Sequence, residues 1–471
     1  MEIWQNRGED SHFIENWKKC HADYIFLDFD VFIVRELGFS FQTKQELDGQ
    51  RRNAFLDFRK KTGHFMFASL PTMRKWFGIG GFSRPRREQV LSICLKLRTG
   101  RQKAREYLMI GLGESAFQIR DYREVIFMYG LENYMTYEYC LELIKKFEKG
   151  VDFRSEEDNK ISDEVFEQEF MKIIDKPSDV FLSWMLSEQK FFKGYQDVIS
   201  NILHYCRKEI LLFIRKDAKK KLEDLLAETN FKKWLSERKY HGLEPREILK
   251  RFVRSYHNAE YKEVSQNMGD NILELSSIAY SQLEANSRLL AEVFPFAGNT
   301  VFNNIKGMSA KRLSDLFNVS LQWERLFVSN QTCRELMNLD AESNCPDWVN
   351  DITKICNRHF NELHSVKDAL YQLTRYSEEQ KRRCIDIRRG DLLPIIHYVA
   401  QCQYLDSIDN MEEKYNMKIA KRNFVSMANE MLKLCQMAPL NKEYELDAVL
   451  LSCFQPDEMY SYSEILELAK K

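Results

Sequence analysis

Turn-forming residues are scarce in this chain of 471 residues, which contains 18 glycines and 9 prolines. Together they make up about 6% of the sequence, roughly half of their usual share in globular proteins. No proline occurs between Pro85 and Pro177. All-β and doubly wound α/β folds need many more turns than this composition supplies. We therefore predict an all-α, multi-domain helical protein.

The chain also lacks long apolar runs and closely paired cysteines. Its longest apolar runs, such as residues 210–214, fall far short of the ~20 residues that cross a bilayer. The first ten residues do not follow the basic-then-apolar order of a signal peptide. The eleven cysteines are scattered without a C-x-x-C pair, as in proteins with reduced thiols. We expect a cytoplasmic protein that has no membrane partner.

Catalytic signatures are absent as well. The sequence contains no G-x-x-x-x-G-K-[ST], G-x-S-x-G or H-E-x-x-H motif, and its nine histidines are scattered. Residues 111–116 fit G-x-G-x-x-A, but a helical pattern rather than a strand precedes them, so we interpret them as a turn. The sequence predicts no catalytic residues, no cofactor and no metal site.

Three further patterns have a functional interpretation beside a structural one. The D-x-D sequence of residues 28–30 is similar to a motif of haloacid-dehalogenase phosphatases, but Gly or Thr does not follow it. Residues 208–226 have a basic amphipathic pattern that suits a membrane surface or a helical bundle. Four residues offer side chains that bind zinc: Cys333, Cys345, Cys356 and His359. Only the last two have the close spacing of a structural zinc site, and we expect a structural role in all three cases.

Interruptions of the helical pattern predict five regions. Residues 150–163 are polar and aperiodic, and they form the best candidate for a linker. The predicted regions are an N-terminal segment (1–42), a basic helical unit (43–115), an additional helical hairpin (116–150), a helical domain (164–293) and a C-terminal helical domain (300–471). Residues 24–34 fit either one strand or a buried helical segment.

Positive charge is concentrated in residues 51–110, a segment that we call the basic island. It holds fifteen Lys or Arg and three acidic residues, a balance of +12 in a chain whose total is −1. A cationic cluster on a compact helical unit is typical of proteins that contact phosphates. The alternative is a solvated face, or one that packs against the acidic remainder of the chain.

Short helices and tight turns alternate through the basic island. The spacing predicts helices over residues 43–62, 70–77 and 101–109. Between the last two, Ser83-Arg-Pro85 is typical of a helix start, since proline is tolerated in the first turn. Apolar residues then recur at three- and four-residue spacing, which predicts a helix with one inward face. These residues are Val90, Ile93, Cys94 and Leu97.

This order of elements resembles the Xre/Cro (lambda-repressor-like) helix-turn-helix family over about residues 45–112. Trp76-Phe-Gly78 corresponds to the end of the recognition helix, and Arg84-Pro85 to the start of the next helix. Residues 90–97 correspond to the core helix, and residues 99–108 to the closing helix. The usual Q-x-x-L-A-x-x-x-G stretch does not precede Leu70.

The resemblance implies a transcriptional regulator that binds double-stranded DNA, usually as a homodimer on paired half-sites. Residues 164–471 would then supply dimerisation or sense a signal. The groove-facing side of the recognition helix would carry Ser69, Thr72, Arg74 and Lys75. A helix N-terminus close to the phosphates would carry Arg84, Arg86 and Arg87.

An adaptor function is the alternative interpretation of the same unit. The recognition segment is unusually apolar and aromatic for a helix that reads a groove. Exposed Trp76, Phe77 and Phe82 would anchor a protein partner, since aromatic residues together with arginine are common interface anchors.

Overall fold

The structure is a computed structural model that describes residues 28–151, 163–192, 198–236, 242–257, 266–280, 323–356, 360–383, 387–411, 414–442, 444–462 and 464–465. Nineteen α-helices and no β-strand occur within these ranges, which confirms the prediction of an all-α protein. Among these residues, no helix combines the length and the apolar character that crossing a membrane requires.

Nine helices form an N-terminal unit that spans residues 28–192. In chain order they are α1 (Phe29–Glu36), α2 (Lys44–Lys61), α3 (Leu70–Trp76), α4 (Arg87–Lys96), α5 (Arg101–Glu106), α6 (Tyr122–Glu132), α7 (Tyr137–Gly150), α8 (Asp163–Ile173) and α9 (Ser178–Ser187). A π-helical turn, Tyr107–Gly111, continues α5, and a 3₁₀ turn, Gln189–Phe192, follows α9. The helices predicted in the basic island are therefore present, with ends shifted by a few residues.

Short polar side chains fix where several of these helices begin. Thr43, Ser69 and Thr136 each accept a hydrogen bond from the backbone N–H three residues later. Such a cap satisfies one of the N–H groups that has no partner within the helix, and it stabilises the helix by about 1 kcal/mol. Residues 28–30 also begin a helix, α1, whose first N–H donates to the Asp28 carboxylate. Residues 28–30 therefore lie at the start of a helix rather than in a strand, while residues 24–27 lie outside the described residues.

One hydrophobic core runs through the whole N-terminal unit. Aromatic rings supply much of it: Tyr129 stacks on Phe181 with ring centroids 3.9 Å apart, and Phe166 stacks on Phe191 at 4.0 Å. Phe166, Phe181 and Phe191 lie in the predicted domain 164–293. They nevertheless share a core with the helices of the basic island.

Ten helices follow the N-terminal unit within the described ranges. They are α10 (Val198–Ala227), α11 (Phe231–Ser236), α12 (Pro245–His257), α13 (Gln266–Ala279), α14 (Trp323–Leu336), α15 (Trp348–Ile355), α16 (Val366–Arg383), α17 (Arg389–Met411), α18 (Met417–Leu434) and α19 (Glu445–Ser452).

These ten helices surround three further cores. The first half of α10 packs with α17, α18 and α19, an assembly that we call the C-terminal bundle. The second half of α10 packs with α11, α12 and α13, and α14, α15 and α16 enclose the third core. Ile210, Ala218 and Leu222 of α10 are buried, as expected of a helix in a bundle.

The loop between the π-helical turn and α6 joins the N-terminal unit to the C-terminal bundle. The Ala116 N–H donates to the Gln436 carbonyl at 3.0 Å, and the Arg389 N–H donates to the Gly113 carbonyl at 2.8 Å. Glu114 also pairs with Arg388 at 3.4 Å. This loop therefore places α5 opposite the C-terminal end of α18.

Candidate nucleic-acid interface

The basic island does not form one uniform outward surface. At least seven of its fifteen cations make ion pairs with carboxylates of the same chain. They are Arg51, Lys61, Arg84, Arg87, Lys96, Arg101 and Lys103. About half of the cations are thus paired with carboxylates of the same chain, some of them buried and others at the surface, which is the structural alternative that the sequence left open.

Arg87 is anchored in the interior rather than exposed. Its side chain is 11% exposed, and its Nη2 donates to Oε2 of Glu124 on α6 at 2.9 Å. The same guanidinium donates to the carbonyl oxygens of Ser115 and Ala116 in the loop before α6. This arrangement corrects the predicted placement: Arg87 begins α4, but it holds that loop instead of facing a phosphate.

Arg84 and Arg51 hold the first turn of α1. Arg84 donates to Oδ1 of Asp28 at 2.9 Å, and Arg51 pairs with Oδ2 of Asp30 and donates to the Phe77 carbonyl at 2.8 Å. Burial raises the pKa of the Asp30 carboxyl, and the neighbouring Arg51 guanidinium opposes that rise. Arg84 is thereby also a structural residue, although a third of its side chain remains exposed.

Close packing after α3 leaves no room for a side chain at Gly78. Gly78 has φ +70°, and a Cβ atom at this position would lie 2.2 Å from Nη1 of Arg51. A side chain would therefore displace Arg51 from Asp30, while the left-handed backbone also favours glycine. The end of the predicted recognition helix is in this way attached to α1 and α2.

The outward face of α3 carries cations without internal partners. Arg74 and Lys75 are exposed and make no ion pair with any described residue. Ser69 caps the helix, and its hydroxyl lies 2.8 Å from the hydroxyl of Thr72. Arg86, just before α4, is likewise exposed and has no ionic partner in the described part of the chain. The structure thus leaves five of the seven predicted DNA-binding residues outside the buried ion pairs.

The aromatic anchors of the adaptor interpretation are placed differently from the prediction. Trp76 and Phe77 are each 1% exposed, because they face the core formed with Phe55 and Phe58. The ring centroids of Phe58 and Phe77 are 5.3 Å apart. Phe82 is partly buried. The expectation of exposed Trp76 and Phe77 is wrong, since their helix turns these rings inward.

The connection before α3 differs from that of a helix-turn-helix. Residues 62–69 join α2 to α3, whereas the two helices of this motif are usually joined by a three- or four-residue turn. A four-residue connection, residues 97–100, occurs between α4 and α5, where Arg98 adopts φ +54°. Sequence reasoning placed Arg101 and Arg105 only in a closing helix. Their spacing of four residues was the available sign that both project from one face of α5.

The other motifs considered in the sequence lie in a loop or in a hydrophobic core. Gly111 ends the π-helical turn and residues 112–116 belong to the loop before α6, so a helical segment precedes this sequence, as predicted. Burial raises the pKa of the Cys333 thiol, and Cys356 lies in the core of α14–α16, while His359 lies outside the described residues. No group of three or more potential metal ligands is present among the described side chains.

Comparison of the chain with protein-family models, with curated proteins and with solved structures found no match in any of the three.

Proposed function

We propose that this protein is a DNA-binding transcriptional regulator that contacts the duplex through the outward face of α3 and through Arg86. The larger helical region after residue 164 would sense a signal or form a homodimer. The observation that carries this proposal is the division of α3 into two faces. Met73 and Trp76 are buried, whereas Arg74 and Lys75 are exposed and have no described ionic partner.

Such a helix is held in one orientation while its charges remain available. The buried Trp76 fixes the rotation of α3 against the core, and Ser69 fixes its first turn. In the pair formed by the Ser69 and Thr72 hydroxyls, one proton lies between the two oxygens and the other can be donated outward. Cations and hydroxyl donors in this arrangement suit phosphate oxygens, which accept most protein–DNA hydrogen bonds.

The length of α3 limits what it can read. Its seven residues correspond to about 10 Å of helix, so only a few base edges lie within reach. We therefore expect phosphate contacts to dominate the affinity of one protomer, and paired half-sites to supply most of the sequence preference.

The adaptor function is the second candidate, and one observation still favours it. Leu70 is 45% exposed on the same helix as Arg74 and Lys75, a combination that also fits an acidic protein partner with an apolar contact. Two of the anchors predicted for the adaptor function, Trp76 and Phe77, are buried. The DNA-binding proposal depends only on side chains that remain outside.

Fluorescence anisotropy with a labelled duplex tests the proposal. Binding should weaken as salt rises, and the double variant R74A/K75A should lower the slope of log K against log salt by about 2, because two phosphate contacts are lost. The matched control is K418A/R422A, which removes two exposed cations from the distant α18. Absence of salt-dependent binding, or equal losses in both double variants, would contradict the proposal.

A further inference from the structure

A cleft of about 670 Å³ lies where the N-terminal unit meets the C-terminal bundle. One wall is α5 with its π-helical turn, and the opposite wall is the C-terminal end of α18. Ligand pockets usually have volumes of about 300–1,000 Å³ and often lie between domains. The cleft thus has the size of a small organic ligand rather than of a single inorganic ion.

Positive charge dominates the cleft. Among the described residues that line it, Arg101, Arg105 and Lys433 are positively charged, and Glu167 supplies one carboxylate. Arg101 already forms an ion pair, because its Nε lies 3.3 Å from the Glu132 carboxylate. Arg105 and Lys433 are exposed and make no ion pair with a described residue. Two cations from opposite walls are therefore available to an anion that lies between them.

The remaining lining is apolar or neutral. Phe117, Met109 and Met128 supply a ring and two thioethers, which suit a flat organic group. Asn429 also lines the cleft, and its Oδ1 accepts from the Leu440 N–H at 2.8 Å. Its amide N–H groups therefore remain available as donors. A phosphate alone would leave the apolar part of this surface uncovered.

Backbone features keep the two walls in place. Met109 belongs to the π-helical turn, a feature that is frequent at functional sites. A Cβ atom at Gly111 in this turn would lie 2.8 Å from the Phe32 ring, so the turn is packed closely on α1. On the other wall, Gln436 has φ +53°, and its carbonyl accepts from Ala116 across the junction. Uncommon backbone conformations of this kind persist where the surrounding structure holds them.

We propose that this cleft binds a nucleoside phosphate. The phosphates lie between Arg105 and Lys433, where guanidinium and ammonium groups neutralise their charge. The base lies against Phe117 and the methionine side chains, and the amide of Asn429 donates to a polar edge. This site is separate from the outward face of α3, and the inference does not depend on DNA binding.

Isothermal titration calorimetry on the full chain tests the ligand class. Adenosine, AMP, ADP, ATP, GTP and pyrophosphate are titrated separately. We expect at least one nucleotide to bind, and affinity to rise with the number of phosphates. Adenosine and pyrophosphate should each bind at least about tenfold more weakly than the tightest nucleotide, because each lacks one half of the contacts. Pyrophosphate that binds as tightly as the nucleotides would overturn the proposal, as would the absence of any nucleotide binding at millimolar concentration.

Three conservative variants test the location. R105Q and K433Q should each weaken nucleotide binding by about tenfold, the loss expected for one charge-assisted contact. E167Q removes the one carboxylate among the described residues that line the cleft, and it should tighten binding by a few fold, a direction that loss of structure does not produce. All three side chains are exposed, so we expect the fold to be retained.

K418Q on the same helix as Lys433 is the matched control, and its nucleotide affinity should equal that of the unmodified chain. The variant R74A/K75A should also bind nucleotide normally, which separates this site from the DNA-binding surface. Unchanged affinity in both R105Q and K433Q would contradict the location.

Discussion

The N-terminal unit and the C-terminal bundle both contain a buried arginine, but the two regions differ in how much of the surrounding positive charge is buried with it. In the C-terminal bundle, Arg389 is 6% exposed, Asp447 is 0% exposed, and the two form a two-pronged ion pair. In the N-terminal unit, Arg87 pairs with Glu124 while its neighbour Arg86 remains exposed. The bundle isolates one charge pair, whereas the basic island divides its cations between the interior and solvent. Adjacent residues of one type can therefore have unrelated roles.

The two regions also differ in their titratable groups. In the C-terminal bundle, His397 lies edge-on to the rings of Phe424 and Phe454, and burial lowers its pKa to about 3. In the N-terminal unit, burial raises the pKa of Asp30, and Arg51 opposes that rise. Acid should therefore act on the bundle through the histidine, which must remain neutral to stay buried.

The largest expected effect is that of R389L on the free energy of unfolding. Removal of the guanidinium leaves the fully buried Asp447 carboxylate without a counter-charge, which should cost about 3–5 kcal/mol. The double variant R389L/D447L removes both charges and should recover a large part of that loss. Urea unfolding followed by circular dichroism measures both. If the double variant is as unstable as R389L, the ion pair is not the cause.

The second largest effect on stability distinguishes the buried from the exposed arginine at the start of α4. R87A should lower the free energy of unfolding by about 3 kcal/mol, because Glu124 and two loop carbonyls lose their donor. R86A, which removes the exposed neighbour, should change it by less than about 0.5 kcal/mol. Similar values for the two variants in urea unfolding would remove the distinction between inner and outer cations.

The buried His397 should make the stability of the C-terminal bundle depend on pH. Its ordinary pKa is 6.5, and burial lowers the pKa to about 3 in the folded state. Between these values the unfolded chain binds a proton that the folded chain does not, so stability falls as the pH falls. The loss should approach about 1.4 kcal/mol per pH unit below pH 6.5.

The variant H397L isolates this contribution, because leucine cannot titrate. The difference in unfolding free energy between H397L and the unmodified chain should shift in favour of H397L as the pH is lowered from 7 to 4.5. A difference that does not vary with pH in urea unfolding would show that His397 has the same pKa in the folded and the unfolded chain, which would contradict the shift caused by burial.

The smallest expected effect on stability belongs to the exposed face of α3. R74A/K75A should leave the free energy of unfolding within about 0.5 kcal/mol, since neither cation has a described ionic partner. A thermal or urea unfolding curve measures this change. A loss similar to that of R87A would place these side chains among the structural cations and would remove them as DNA-binding candidates.

The sequence was informative about local structure in the basic island. Residue spacing, a signal that acts within a few residues, predicted helices over residues 43–62, 70–77 and 101–109, and the structure has them at 44–61, 70–76 and 101–106. The burial of Trp76 and Phe77 was not predicted, because it depends on Phe55 and Phe58 of a different helix. A short helix with both apolar and basic residues does not itself specify which side faces the core.

The role of each cation depends on partner residues that are distant in the sequence. Arg84 pairs with Asp28, and Arg87 with Glu124, across 56 and 37 residues of chain. The proposed nucleotide cleft requires Arg105 and Lys433, which lie still farther apart in sequence. No periodicity connects such positions, so the sequence pattern assigned Arg84 and Arg87 to the DNA-binding surface and gave no functional role to Arg105 or Lys433.

The all-α architecture, the positions where helices begin and the concentration of positive charge follow from local features of the sequence, because turn composition, capping and residue spacing act over a few residues. Tertiary structure alone decided which of those charges are buried and which face solvent or a cleft. The reason is that the free energy of a charged side chain depends on the partner and the water around it, and distant segments supply both.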